Sequence, residues 1–419
     1  MDGETLATLG HATDRSSAVV IAREDRGPSD RPWTFARLLG DVSVETFCRD
    51  YWGRQPLLVR GGAGNDFASL TGFAEIESLM AIPRVLEDRM ISVRAKGERA
   101  SLAPATIGDA YRRLREGASL QFRKMERFLS PQAPLSVLYR DMQLALQHPG
   151  VSISCFVAPP DTEQLGPHYD GTEIFTLQVS GRKRWRLYGR LAAEGRASVD
   201  GATIGQPHEE FILGPGDLFY MPRGHIHEVT SEDDGVSLSL PIIIEPVTWK
   251  EMLPRMMEQL AAHPAFREAL PAGLLLRPDA TALLAEGIAA RIPMIAAAAS
   301  AIDATEMIET AATVFLTGLG APPDPHVAEM LSRATLEPCS RLVPRHGRAW
   351  RVAVRDGRAV LTLGGGDAMT GPESIVPALR AIMARDEPVA AALLHPSLSE
   401  KSCLTLARKL VDIGALAVV

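Results

Sequence analysis

The chain has 419 residues, more than one hydrophobic core usually organises, so two or three domains are expected. Hydrophobic residues make up 46% and charged residues 23%, the balance of an ordinary soluble protein, and the net charge of -7 argues against a general nucleic-acid binder while leaving room for a local basic patch. The four cysteines, Cys48, Cys155, Cys339 and Cys403, lie far apart with no CxxC pair, which fits a reducing compartment and excludes a zinc or disulfide framework.

The first residues lack a basic start followed by an apolar stretch, so no secretory signal is expected. Residues 1–32 are polar, with Gly, Pro, Ser and mixed charge, and read as a loose leader. In "WTFARLLGDVSVETFCRDYWGRQPLLVRG", Ser43 caps a helix that runs through Phe47 and Tyr51, and "PLLVR" follows as a short buried strand. From about 150 to 245 the character changes to short apolar or alternating runs: "VSISCFVAP", "EIFTLQV", "KRWRLYG", "EEFILGPGDLFYMPRG" and "GVSLSLPIII". Gly and Pro turns separate them, which is the pattern of an all-β sandwich or barrel.

From about 247 to 342 the chain reads as helices rich in Ala, Leu and Met. Thr248 is a good N-cap with Glu251 three residues later, as in a capping box. "ATALLAEGIAARIPMIAAAAS" and "TEMIETAATVFLTGLG" are the next two helices. Their wide apolar faces must pack on the β domain or on a second copy of themselves. The most apolar run, 292–302, is bounded by Arg291 and Asp303 and is shorter than the roughly 20 residues that cross a bilayer. No membrane association and a cytoplasmic location are therefore expected. In the last segment, "AWRVAVRDGRAVLTLGGG" reads as a hairpin through Asp356-Gly357. Two helical runs and a terminal strand, "ALAVV", follow. Strands plus two or three helices in so short a tail resemble a winged-helix module.

The chemistry concentrates in "GPHYDGTEIFTLQVSGRKRWRLYG". Residues i and i+2 of a strand share a face, so His168 and Asp170 both aim into a barrel mouth. One imidazole and one carboxylate are two-thirds of the facial triad that leaves open positions on Fe(II). The third ligand should be a histidine from a later strand, and "GDLFYMPRGHIHEV" offers His225 and His227. His227 is preferred because it begins "HEVTS", whereas His225 sits nearer the turn. Lys183 alternates to the face opposite Arg182 and Arg184. An ammonium inside a barrel needs an anion. A dicarboxylate chelating the metal at one end would meet that ammonium at the other, which is how a 2-oxoglutarate site is built. The plainer reading leaves all three cations on a solvated face.

With these motifs the sequence resembles the JmjC-type cupin oxygenases of the ribosomal oxygenase (cupin-4) family. "GPHYDGTEIFTLQVSGRKRWRLY" and "PGDLFYMPRGHIHEV" resemble its cupin, and "FCRDYWGRQPLLVRG" resembles its N-terminal element. The resemblance implies an α+β protein. It would comprise a double-stranded β-helix (cupin/JmjC) domain at 33–246, a helical dimerisation region at 247–342 and a winged-helix-like domain at 343–419. It implies His168, Asp170 and His227 as Fe(II) ligands and Lys183 as the partner of the far carboxylate of 2-oxoglutarate. Ser154 falls where some members place an Asn beside the cosubstrate, and either Ser237 or Ser239 would assist from the late strand.

The function so implied is a 2-oxoglutarate-dependent dioxygenase. It uses O2 to hydroxylate a side chain, an Arg or His for example, of a protein or peptide such as a ribosomal protein, and it acts as a homodimer. A secondary-metabolite peptide is an alternative substrate. A non-catalytic metal-binding cupin regulator is the alternative of another class, with Lys401, Arg408 and Lys409 on a candidate recognition helix. The near balance of acids and bases across the tail favours a structural role for that helix.

Overall fold

The computed structural model describes residues 18–22, 32–61, 67–95, 98, 101–191, 195–199, 201–232, 235–261, 263–300, 303–319, 336–345, 349–355, 357–365, 368–385 and 387–419. The chain divides into two compact units, Met1–Pro246 and Val247–Val419.

Among the described residues the first unit holds two facing sheets. The larger contains β1 (Val19–Ala22), β2 (Leu57–Arg60), β3 (Ile91–Arg94), β4 (Ser119–Phe122), β5 (Gly150–Ile153), β6 (Cys155–Ala158), β8 (Glu173–Ser180), β12 (Leu218–Met221) and β14 (Ser237–Glu245). Its order is β1-β2-β12-β8-β14-β6-β4-β3, with β5 also on β14. The smaller sheet contains β7 (Glu163–Tyr169), β9 (Lys183–Arg190), β10 (Ala197–Ser198), β11 (Glu209–Leu213) and β13 (His225–Ser231), in the order β10-β7-β13-β9-β11. Two sheets, antiparallel apart from the β1–β2 pair, that exchange successive strands in this way form the double-stranded β-helix of a cupin.

Alternation decides what each strand shows. Along β9, Lys183, Trp185 and Leu187 point inward, while Arg184 and Arg186 point out and pair with Glu210, Glu228 and Glu232. The central strand β8 is buried on both faces. Phe175, Leu177 and Val179 pack outward against a core with Phe35, Phe47, Leu138 and Met142. Ile174 faces the other sheet and joins Trp185, Leu187, Phe219 and Val229. The helices behind the large sheet begin where the sequence provides caps. Ser43 Oγ accepts from Thr46 N at 3.1 Å, and the turn continues through Phe47–Tyr51.

Two expectations need correction here. The leader is not uniformly loose: Val19–Ala22 form β1, parallel to β2 with Val19 opposite Leu57, and Ala18 is buried. The exposed edge of β2 supplies the unpaired backbone groups that recruit it. The other residues of 1–32 lie outside the described set, apart from Pro32. Second, the helix read from "ATALLAEGIAARIPMIAAAAS" has the expected bounds, Ala280–Ser300, but its apolar stretch is not limited to the part after Arg291: Ala280–Ala297 is long and apolar enough to cross a membrane by length and composition. Arg291 does not end it. The guanidinium folds back to Gly287 O (2.9 Å) and Ala265 O (2.9 Å) and pairs with Glu268, so the charge sits inside the helix.

The second unit opens with the helix Trp249–Ala261, where Glu251 accepts from Thr248 N at 2.7 Å. The helices Ala280–Ser300 and Ala304–Gly318 follow. Glu309 of the latter pairs with Arg351, so the helical block and the tail are joined, and the expected division at 342/343 falls within this unit. The tail carries β15 (Arg341–Pro344), β16 (Trp350–Arg355), β17 (Arg358–Leu363), β18 (Ala368–Pro372), β19 (Val389–Ala390) and β20 (Leu416–Val418). They form two three-stranded sheets, β19-β15-β20 and β16-β17-β18. The expected hairpin is β16–β17, turning at Gly357 with φ 68°, and Asp356 lies outside the described residues. The helices Val376–Met383 and Glu400–Asp412 bury Leu379, Cys403 and Leu410 against these sheets.

Candidate active site

A pocket of about 660 Å³, open to solvent at one side, lies between the two sheets. His168, near the end of β7, stands directly opposite His227 of β13 in the strand register. Asp170 follows β7 by one residue. Ligand atoms of the three side chains lie within 4.8 Å of one another. His168 Nε2 is 3.6 Å and His227 Nε2 is 3.7 Å from the same oxygen, Asp170 Oδ2. The imidazoles are 4.1 Å apart between centroids and tilted by 51°. The Trp185 ring stacks on His227 at 5.6 Å.

The ring tautomers follow from the other nitrogens. His168 Nδ1 is 2.9 Å from Gly166 O, and His227 Nδ1 is 3.0 Å from His225 O. A carbonyl oxygen only accepts, so each Nδ1 carries the proton and each Nε2 presents a lone pair. Two lone pairs and a carboxylate oxygen thus converge at distances too long for hydrogen bonds to one another. Electrostatics also keeps His227 neutral and Asp170 ionised. Burial pushes His227 down to about 3, and the neighbouring His168 adds to this. Burial alone would raise the Asp170 carboxyl. The neighbouring imidazoles and the Arg196 guanidinium outweigh burial and hold it at about 2. Neutral imidazoles with a carboxylate, each imidazole oriented by a backbone acceptor, are a nitrogen and oxygen donor set that fits Fe(II).

Lys183, the first residue of β9, reaches the same pocket. It is 2% exposed, and its Nζ donates to Ser239 Oγ at 2.6 Å. Burial lowers its pKa to about 7. The Cys155 thiol beside it is itself pushed up to about 12 by burial and stays neutral. The Phe156 ring lies 5.5 Å from the ammonium.

The two late serines separate cleanly. Ser239 lines the pocket, whereas Ser237 accepts from Gln178 Nε2 at 2.9 Å. A register shift between Leu238 and Ser239 in the β14–β8 pairing divides them. Ser154 is not brought to the pocket. It sits between β5 and β6, its N–H donates to Pro241 O at 2.8 Å, and Phe156 two residues later forms that wall. His225 is fully buried but does not line the pocket. Sequence reasoning missed Gln121, Thr176 and Arg196, which complete the walls. Gln121 stands opposite Phe156 across β4–β6, and Phe156 opposite Ser239 across β6–β14. Arg196 Nε lies 3.1 Å from Asp170 Oδ1.

Residues 130–252 match the family model described as the JmjC domain. That segment, which holds His168, Asp170, Lys183 and His227, is similar to JmjC domains. The chain is also similar to proteins named as ribosomal oxygenases and histidyl-hydroxylases. It is 32% identical over 252 residues to the bifunctional lysine-specific demethylase and histidyl-hydroxylase NO66 of Drosophila persimilis, covering 58% of this chain and 36% of that protein. It is 30% identical over 259 residues to ribosomal oxygenase 1 of Gallus gallus, covering 57% of this chain and 42% of that protein. The chain therefore spans about two fifths of the length of these relatives. Among solved structures, the Escherichia coli ribosomal oxygenase YcfD in complex with cobalt and 2-oxoglutarate superposes with a TM-score of 0.52 at 19% identity, covering 90% of this chain and 98% of that one. At that identity the likeness speaks for the fold.

Proposed function

We propose that this protein is an Fe(II)- and 2-oxoglutarate-dependent dioxygenase that hydroxylates a side chain, such as an Arg or His, of a protein or peptide, with a ribosomal protein the leading substrate. One observation carries the reading. A three-atom donor set with fixed tautomers shares a pocket with a buried ammonium held by Ser239. His168, Asp170 and His227 would hold the metal on one side only, leaving positions for the cosubstrate and O2. Lys183 and Ser239 would take the far carboxylate of 2-oxoglutarate. Thr176, Ile174, Val229 and Trp185 give this end an apolar lining that limits water. When bound, the metal and cosubstrate supply the oxidation, in which one oxygen atom of O2 goes to the substrate C–H and the other to succinate, with release of CO2. The names of the relatives, histidyl-hydroxylase and ribosomal oxygenase, support a protein substrate.

The test is incubation of the full chain with Fe(II), 2-oxoglutarate and ribosomal proteins from cells lacking it, followed by mass spectrometry. A gain of one oxygen atom on a defined side chain, absent with His168→Ala, is expected. Uncoupled succinate formation with no modified protein would point to a different peptide.

The helix Ala280–Ser300 supports the homodimer reading. Leu284, Ile288, Ile292 and Ile295 are all exposed along it, and their spacing makes one apolar stripe. Sedimentation should show a dimer at tens of micromolar, and Ile288→Glu should shift it to monomer. The tail is assigned a winged-helix-like role on its hairpin and two helices. The free thiols Cys155 and Cys403, both buried, suit a reducing, cytoplasmic setting.

A further inference from the structure

Asp170 differs from the two histidines in what orients it. Each imidazole is turned by a carbonyl behind the ring, Gly166 O or His225 O. A carboxylate has no such direction of its own, because the last torsion of an Asp side chain is broad and roughly two-fold. The main chain at Asp170 is held, since its carbonyl accepts from Gly224 N at 2.8 Å. The side chain still needs a partner to decide which oxygen faces the imidazoles.

A short strap supplies that partner. Residues 195–199 lie along the edge of β7, with Ala197 opposite Tyr169 and Ser198 opposite His168 in the β10–β7 pairing. Val199 N extends the pairing by donating to Pro167 O at 2.8 Å. Ala197 and Val199 pack on the cluster of Tyr169, Tyr188, Leu191 and Ile226, which ties the strap to the smaller sheet. One step back along the antiparallel register sets Arg196 beside Asp170. Glycine permits the close approach: a Cβ on Gly171 would lie 2.7 Å from both N and O of Gly195. The Arg196 guanidinium reaches Asp170 Oδ1 at 3.1 Å, whereas Oδ2 is the oxygen near His168 Nε2 and His227 Nε2. The two oxygens are thus divided, one to the cation of the strap and one to the imidazole lone pairs.

We propose that Arg196, carried by the 195–199 strap, is a positioning residue of the metal centre: it holds Oδ1 so that Asp170 offers Oδ2 alone to the metal. The proposal rests on the metal site of the oxygenase reading and on nothing further about cosubstrate or substrate. A guanidinium near a metal ion also repels it, so two effects compete. The Arg196 side chain is 51% exposed, and water and salt screen its charge. Losing the outer partner of a metal ligand costs about 10- to 100-fold in metal affinity, so orientation outweighs repulsion.

The test is titration of the metal-free full chain with Co(II), followed by calorimetry and visible absorption. Arg196→Ala should weaken Co(II) binding by about tenfold or more, and Arg196→Lys, which keeps the charge, should recover part of the loss. At saturating Co(II) the Arg196→Ala complex should absorb less strongly, because a carboxylate free to bind through both oxygens raises the coordination number. The denaturant midpoint of the metal-free Arg196→Ala chain should match that of the unaltered chain, since a half-exposed ion pair adds little stability. Co(II) affinity that Arg196→Ala leaves unchanged or tightens overturns the proposal, and so does an unchanged spectrum. A loss that Arg196→Lys does not recover, or that comes with a lower denaturant midpoint, makes Arg196 a residue of the fold and overturns it as well. Absence of Co(II) binding by the unaltered chain sinks the metal site and the proposal with it, an outcome distinct from a failure of Arg196 alone.

Discussion

The two ends of the pocket are both buried, yet they solve burial in opposite ways. At the metal end His168, Asp170 and His227 converge electron pairs, and their outer nitrogens are already committed to Gly166 O and His225 O. That end is arranged to receive a positive charge. At the other end Lys183 brings one potential positive charge among Ser239, Phe156 and the neutral Cys155 thiol, and burial has driven its pKa to about 7. That end is arranged around a negative charge. A cation at one end and a carboxylate at the other satisfy both, and a single chelating dicarboxylate connects them. The contrast shows that polarity, rather than size, defines what the pocket takes.

Removing the electron-rich end should have the largest effect. His168→Ala and Asp170→Ala should each lower turnover by more than about 100-fold and weaken Fe(II) binding to a similar degree, because a three-ligand site has no spare donor. Activity that survives both changes would dissolve the distinction between the ends. Lys183→Ala should leave metal binding intact and raise the 2-oxoglutarate requirement by about 30-fold or more, the loss expected when one partner of a buried charge pair is removed. An unchanged requirement would take Lys183 out of the cosubstrate site.

The same lysine gives the comparison a pH signature. Below pH 7 the ammonium is charged and ready for a carboxylate. Above it, binding must be accompanied by proton uptake, so 2-oxoglutarate affinity should fall by up to about tenfold per pH unit. Isothermal titration in buffers of different ionisation enthalpy would show that uptake. The fall should be absent in Lys183→Met.

A smaller effect is expected on stability. Between the folded pKa of about 7 and the unfolded value near 10.4, the unfolded chain holds a proton that the folded chain lacks. Stability of the metal-free protein therefore rises with pH through that window, and the cost of burying the ammonium is complete below it. Lys183→Met should raise stability at pH 6 by roughly 1–3 kcal/mol, and by less at pH 10. Chemical denaturation at both pH values checks the sign.

The sequence showed these ends unequally. His168 and Asp170 were legible because they are two residues apart, at and just past the end of one strand, and Lys183 because its charged neighbours alternate away from it. Ser239 could not be told from Ser237, since the two share a parity and only a register shift in β14 separates their surroundings. Gln121 and Phe156 meet through β4–β6 pairing, and Arg196 arrives from a different segment; no local pattern announces such contacts. Ser154 was placed by resemblance rather than by a strand pattern; the structure sets it between β5 and β6, two residues before the wall residue Phe156. The strand Val19–Ala22 was hidden because its pairing partner is 38 residues away, at Leu57 opposite Val19. The helix Ala280–Ser300 was legible with its bounds, but its apolar stretch looked shorter because Arg291 was taken as its boundary, whereas that guanidinium folds back to Gly287 O and Ala265 O.

The most direct measurement is anaerobic titration of the metal-free chain with Fe(II) and then 2-oxoglutarate, followed by visible absorption. A metal-to-ligand charge-transfer band that grows to one equivalent and is lost in Asp170→Ala is the expected result. Metal binding without that band would contradict the account, because the open positions at His168, Asp170 and His227 would then not be those a chelating 2-oxo acid requires.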